Sequence, residues 1–167
     1  MTKTKFRKYI FAVVFRNDNN YNKKHNEHNT HNKHSKHNSH KFLIFHRTKN
    51  WRGWELLKGG LLENETELKA LRREVREEIG AKKYKIICRT RHVIKYRWKK
   101  QYAKDHHLYH GAKGRLYIIK LFGKKVKIDR KEHDKPRWVD KREALKILTH
   151  INLKNALKYV LRNHKLS

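Results

Sequence analysis

Apolar residues are unevenly spread along this chain, and their spacing changes along it. Residues 9–15 (Tyr-Ile-Phe-Ala-Val-Val-Phe) are β-branched and aromatic without a polar break, the pattern of a strand buried on both faces. Residues 42–45 predict a second strand. Between them, about residues 17–41, the chain is almost wholly Asn, Lys, His and Ser, with Tyr21 as its one apolar side chain. Such a segment has nothing to bury and is expected to be a disordered insertion. A loop over residues 47–62 follows. Leu68, Leu71, Val75 and Ile79 then fall at helical spacing, and Gly80 supplies a C-terminal stop. Residues 86–87 and 116–122 predict further strands, residues 93–94 a separate one, and Trp138-Val139 a short strand after Pro136. Residues 143–148 predict a short helix, and Leu153, Ala156, Leu157 and Val160 mark the buried face of a last helix. Strands and helices mix without regular alternation, so the class is α+β. At 167 residues the chain is expected to form a single domain, residues 1–167, around the insertion.

Charge narrows the partners. Against 15 Asp and Glu stand 45 Lys and Arg, a formal net charge of +30. That field attracts nucleotides, RNA, polyphosphate or an anionic surface, although Lys-rich usage across a proteome would give the same balance. The single cysteine, Cys88, excludes an internal disulfide framework and suits a reducing compartment; its apolar neighbours make it a core residue. No apolar run is long enough to span a bilayer, so the expectation is a soluble, cytoplasmic monomer with no membrane partner. Inside the insertion His25, His28, His31, His34, His37 and His40 recur every third residue. Period three matches neither one helix face nor one strand face, which favours a drifted repeat over a transition-metal site.

Seven of the fifteen acidic residues lie between Glu55 and Glu78. Glu74, Glu77 and Glu78 share one helix face, where like charges repel. A hard divalent cation would turn that repulsion into attraction; a solvated acidic face partnered by Arg72, Arg73 and Arg76 would also account for it. The neighbouring residues break the tie. Gly59, Glu65, Arg73-Glu74-Val75, Glu77-Glu78 and Gly80-Ala81 resemble the Nudix box: Gly, five residues, Glu, seven residues, Arg-Glu, an aliphatic, any residue, Glu-Glu, any residue, Gly, an aliphatic. All nine specified positions over 23 residues match, with Ala81 small for an aliphatic.

The resemblance implies a Nudix fold, a mixed sheet sandwiched between helices, and hydrolysis of a phosphoanhydride bond with Mg²⁺ or Mn²⁺. Glu74, Glu77 and Glu78 would hold the metal, with backbone carbonyl oxygen near Gly59 and Gly60. Arg73 would orient Glu74, Glu65 would brace the turn into the helix, and Gly80 would end it. Flanking residues resemble the diadenosine tetraphosphate hydrolase subgroup: Trp54-Glu55-Leu56-Leu57-Lys58-Gly59, then Lys113-Gly114-Arg115-Leu116-Tyr117, then Glu132-His133 and Arg137-Trp138. On that likeness Lys58 and Lys113 would meet phosphates, Tyr96 and Tyr117 would line the substrate, and Glu132 would be a further metal ligand or base. Pro136 stands where the subgroup has an adenine-stacking Tyr. Residues 82–104 hold ten Lys or Arg and no acid, interleaved with Tyr96, Trp98 and Tyr102. That is the pattern of a groove for single-stranded nucleic acid, or of a solvated basic loop. A dinucleoside polyphosphate is the expected substrate. RNA 5′-pyrophosphohydrolysis or decapping, and a weakly active module that binds nucleotide or RNA, are the alternatives.

Overall fold

A computed structural model describes residues 5–18, 40–98, 109–123, 125–128 and 132–166. Seven strands form one sheet: β1 (Arg7–Asn17), β2 (His40–Arg47), β3 (Gly53–Glu55), β4 (Leu57–Gly60), β5 (Tyr84–Arg97), β6 (Gly111–Leu121) and β7 (His133–Val139). The helices are α1 (Glu67–Glu74), which runs directly into a π turn at Val75–Ile79, α2 (Lys141–Ile147) and α3 (Ile151–Asn163). The sheet is mixed: β1 and β6 are parallel and every other pairing is antiparallel.

Residues 10–15 of β1 are completely buried because both faces of the strand are covered. Ile10, Ala12 and Val14 pack under α1 with Ala70, Leu71, Val75 and Ile79. Phe11, Val13 and Phe15 pack on the other face against Leu153, Ala156, Leu157 and Val160 of α3. The result is an α+β fold with the sheet between helical layers. No helix among the described residues is long and apolar enough to cross a membrane.

Since β6 occupies one edge of β1 from Arg7 to Phe15, β2 and β4 must divide the other edge. β2 pairs along Val14–Asn17 of β1 and β4 along Tyr9–Ala12. The two short strands β3 and β4 therefore lie where a continuous loop was expected. Three- and four-residue strands carry too few alternations to show a period. The expected separate strands at residues 86–87 and 93–94 are one strand, β5, with register shifts between Ile86 and Cys88 and between Arg89 and Val93. Bulges of this kind break the alternation that would have joined them.

The expected insertion boundaries also move. Asn17 pairs with His40 and Arg16 with Lys41, so both ends of the polar segment are strand; residues 19–39, with five of the six repeat histidines, lie outside the described residues. Pro136 sits inside β7, tolerable because, among the described residues, β7 pairs only with β2 and leaves its other edge free of ladder bonds. Leu68, placed on the apolar stripe, is 41% exposed.

Candidate active site

The turn from β4 into α1 is built by local polar chemistry. Thr66 caps the helix, its hydroxyl accepting from Lys69 N at 3.3 Å. Glu65 accepts from Leu62 N at 2.9 Å and receives two parallel bonds from the Arg73 guanidinium, at 3.0 and 2.9 Å. The same guanidinium donates to Gly60 O at 2.9 Å, to Glu74 Oε1 at 2.6 Å and to Glu77 Oε2 at 3.3 Å. Arg73 thus joins the glycine corner, the brace and two helix carboxylates. The π turn then gives the helix an extra residue before Gly80 ends it in the left-handed conformation, φ 64°.

Glu74 is only 7% exposed and lies directly over Gly59, where a Cβ atom would overlap its carboxyl group. Burial, and then the charges of Glu78 and Glu77, push its carboxyl up to about 7 against the pull of Arg73. Glu78 is buried and faces His133, whose Nδ1 lies 2.7 Å from Glu78 Oε2 but off the line of a hydrogen bond. His133 Nε2 lies 2.9 Å from Oε1 of Glu55, a fully buried carboxylate. Glu55 is also paired with Lys58 and with Arg47, the latter at 3.2 Å. Arg47 continues to Glu132 at 2.9 Å, which Lys49 reaches at 3.3 Å. A chain of alternating charge therefore runs from the helix carboxylates to the start of β7.

Burial works against charge at Glu55, but Lys58, His133 and Arg47 outweigh it and hold the carboxyl at about 2. His133 is lowered by burial, yet Glu55 and Glu78 hold it at about 9. Glu132 is raised by burial and pulled below the usual range by Arg47 and Lys49.

Strand direction gathers these groups. The starts of β1, β6 and β7 and the ends of β2, β4 and β5 lie at one end of the sheet, because β1 and β6 are parallel and the other pairs antiparallel. Lys58, Gly59, Tyr96, Lys113 and Glu132 share this end with Arg7 and Tyr9. Tyr96 sets its ring edge-on to Phe11 at 6.2 Å, and burial raises its phenol well above the usual range.

Two nominated residues already have polar partners within the protein. Lys58 is turned inward onto Glu55, leaving its charge already neutralised. Tyr117 is four residues beyond Lys113 along β6, beneath α1, its hydroxyl donating to Glu67 at 2.8 Å beside Arg89, also bound to Glu67 at 2.7 Å. The sequence reading missed Arg47 and the linking roles of Glu55 and His133; only their burial and convergence mark them. Among the described residues, no three acidic, histidine or cysteine side chains converge as a ready-made ion cage. Glu74 and Glu77 instead turn toward Arg73, and Glu78 toward His133.

A profile of the NUDIX domain matches residues 34–161, more than half of the chain. The chain belongs to the NUDIX family. Among NUDIX relatives, an RNA pyrophosphohydrolase of Legionella pneumophila is 38% identical over 96 residues, covering 52% of this chain. The chain spans about half the length of that relative, 55%. An RNA pyrophosphohydrolase of Nitratiruptor is 29% identical over 133 residues, 79% of this chain and 75% of that protein. A C. elegans Ap4A hydrolase binary complex superposes with a TM-score of 0.69 at 19% identity, covering 93% of this chain and 96% of that one. The E. coli dihydroneopterin triphosphate pyrophosphohydrolase gives 0.66 at 16% identity, with 96% and 99% covered. At such identities these structures bear on the fold, which is the NUDIX fold.

Proposed function

We propose that this NUDIX protein is a divalent-cation-dependent hydrolase of phosphoanhydride bonds in nucleoside polyphosphates. The observation that carries it is the Glu74 carboxylate, desolvated over Gly59 with Glu77 and Glu78 close enough to raise its pKa. The donor set is hard oxygen throughout, which fits Mg²⁺ or Mn²⁺ rather than a soft metal. Glu74, Glu77 and Glu78 would hold the ion. When bound, it would supply Lewis-acid neutralisation of the phosphate chain and would lower the pKa of the attacking water. Arg73 keeps Glu74 aimed at the corner, and Glu65 keeps Arg73 from swinging away. Glu132, or one of the helix carboxylates, takes the proton from the water. Lys113 and Arg7, on the starts of β6 and β1, hold substrate phosphates.

The flanking motifs support a dinucleoside polyphosphate as substrate. A second reading, a 5′-triphosphorylated RNA end, is favoured by the names of the Legionella and Nitratiruptor relatives and by Pro136, which cannot stack on adenine as an aromatic would. The test is release of phosphate or pyrophosphate from both substrates with Mg²⁺, comparing wild type with Glu77→Gln. Hydrolysis of either substrate, lost by at least about a hundredfold in the variant, supports the reading. Inactivity of the wild type on both, or equal turnover by the two proteins, overturns it.

A further inference from the structure

Lys8, Lys113 and Lys95 stand side by side on three adjacent strands. The β1–β6 register sets Lys8 against Lys113, and the β5–β6 register sets Lys95 against Lys113. All three are exposed, and with strands about 4.8 Å apart the row crosses the sheet over roughly 10 Å. Like charges directly opposite one another on neighbouring strands destabilise a sheet. Here there are two such pairs in succession, and among the described residues no acidic side chain forms an ion pair with any of the three. Lys95 Nζ lies 4.4 Å from the ring centre of Phe6, and the two line a groove with Tyr96, Arg97 and Lys113 of about 610 Å³.

The row begins at the candidate active site. Lys8 O accepts from Leu61 N at 3.0 Å, and the Arg7 guanidinium is packed against Gly60, whose carbonyl is held by Arg73. A small nucleotide seated at that corner ends there. A ligand that continues across β1, β6 and β5 must be a chain with repeated negative charge, and a ring beside the last lysine suits a chain that carries bases.

We propose that the Lys8–Lys113–Lys95 row with Phe6 is a track for the phosphodiester backbone of single-stranded RNA downstream of the end being cut. This rests on the RNA reading of the proposed function and deepens it.

The test reads binding without turnover, so failure of the proposed activity and failure of this surface stay separable. The probe is a fluorescent, 5′-monophosphorylated single-stranded RNA of about ten nucleotides, long enough for one groove, titrated with the full chain by anisotropy from low to moderate salt. Each cation lost from a single-strand contact lowers the slope of log affinity against log salt by about 0.7. Lys8→Gln/Lys95→Gln is expected to flatten the slope by about 1.4 and to weaken binding roughly twentyfold near 0.1 M salt. Lys95→Gln alone is expected to show about half that slope change. It keeps the test open should the double variant not fold by its melting curve. Lys146→Gln/Lys158→Gln removes the same charge from α2 and α3, which pack on the other face of the sheet, and is expected to bind as wild type. Unchanged slopes, an equal loss in that control, or undetectable wild-type binding at low salt overturns the proposal. Tighter binding of inorganic polyphosphate than of RNA with the same number of phosphates overturns the assignment to RNA.

Discussion

Gly59 and the Glu74 carboxyl group occupy adjoining space: a β-carbon on residue 59 would overlap Glu74 Cδ and Oε1. The glycine is needed at this place because a buried carboxylate comes down onto the β4 backbone, bringing the acid to the corner that Arg73 holds at Gly60 O.

Gly59→Ala therefore displaces Glu74 or β4. Overpacking of this size costs about 1–3 kcal/mol, so the melting temperature is expected to fall by several degrees. A displacement near 1 Å at a reacting centre costs about a hundredfold in rate, and kcat/KM is expected to drop at least that far. Calorimetry and steady-state kinetics check both. A variant with wild-type melting and turnover would show that Glu74 does not rest on Gly59.

The Glu55–His133 pair has a pH window. Glu55 falls from an ordinary 4.5 to about 2, so its stabilisation is present above 4.5 and lost as pH falls toward 2. His133 rises from 6.5 to about 9, so its share is present below 6.5 and lost as pH rises toward 9. The contribution is largest between about pH 4.5 and 6.5. The two shifts share the Glu55–His133 contact, while Lys58 and Arg47 also hold Glu55 and Glu78 also holds His133, so they are counted once for the whole network, at about 3 kcal/mol. Glu55→Gln is expected to lower stability by that order at pH 6 and to flatten the acid limb of a urea-denaturation profile; an acid limb as steep as wild type would remove the pair from the account.

Tyr117→Phe separates structure from substrate contact. The hydroxyl bonds Glu67 beneath α1, where burial pushes its pKa up to about 12. Losing that bond is expected to cost about 1 kcal/mol and to leave KM and kcat within about twofold, because the residue lies away from the corner. A large rise in KM would restore Tyr117 to the substrate site.

The strand ends beside the polar insertion are already paired, Asn17 with His40. Replacing residues 19–39 by a turn of about four residues shortens the closed loop by about two doublings, which relieves on the order of 1 kcal/mol. The expected outcome is a two-state melt at an equal or slightly higher temperature. A fall of ten degrees or more would mean that the replaced segment packs on the fold.

The parts of the site that could be read from the chain are those with local causes. Glu74, Glu77 and Glu78 share a helical turn, Arg73 adjoins the first of them, and Gly80 adopts the positive φ expected of a helix stop. The helix stripe at Leu71, Val75 and Ile79 and the buried strand at residues 10–15 were legible for the same reason, since each period repeats within one element. Leu68 broke the stripe because it lies in the first turn of α1, whereas the buried face of that helix is formed by Ala70, Leu71 and Glu74. The pairing of Lys58 with the buried Glu55 was not legible in the chain, because burial of a carboxylate is set by tertiary packing.

The chain by itself determined the NUDIX motif, the α+β class, the basic field and the elements whose period fits within one strand or helix. Tertiary structure alone decided that Glu55, 78 residues from His133, would meet it in the interior, and that Lys8, Lys113 and Lys95 would line up on one sheet. The physical reason is range: propensity and periodicity act over a few residues, whereas strand order and register set which distant charges must share a low-dielectric space or an exposed face.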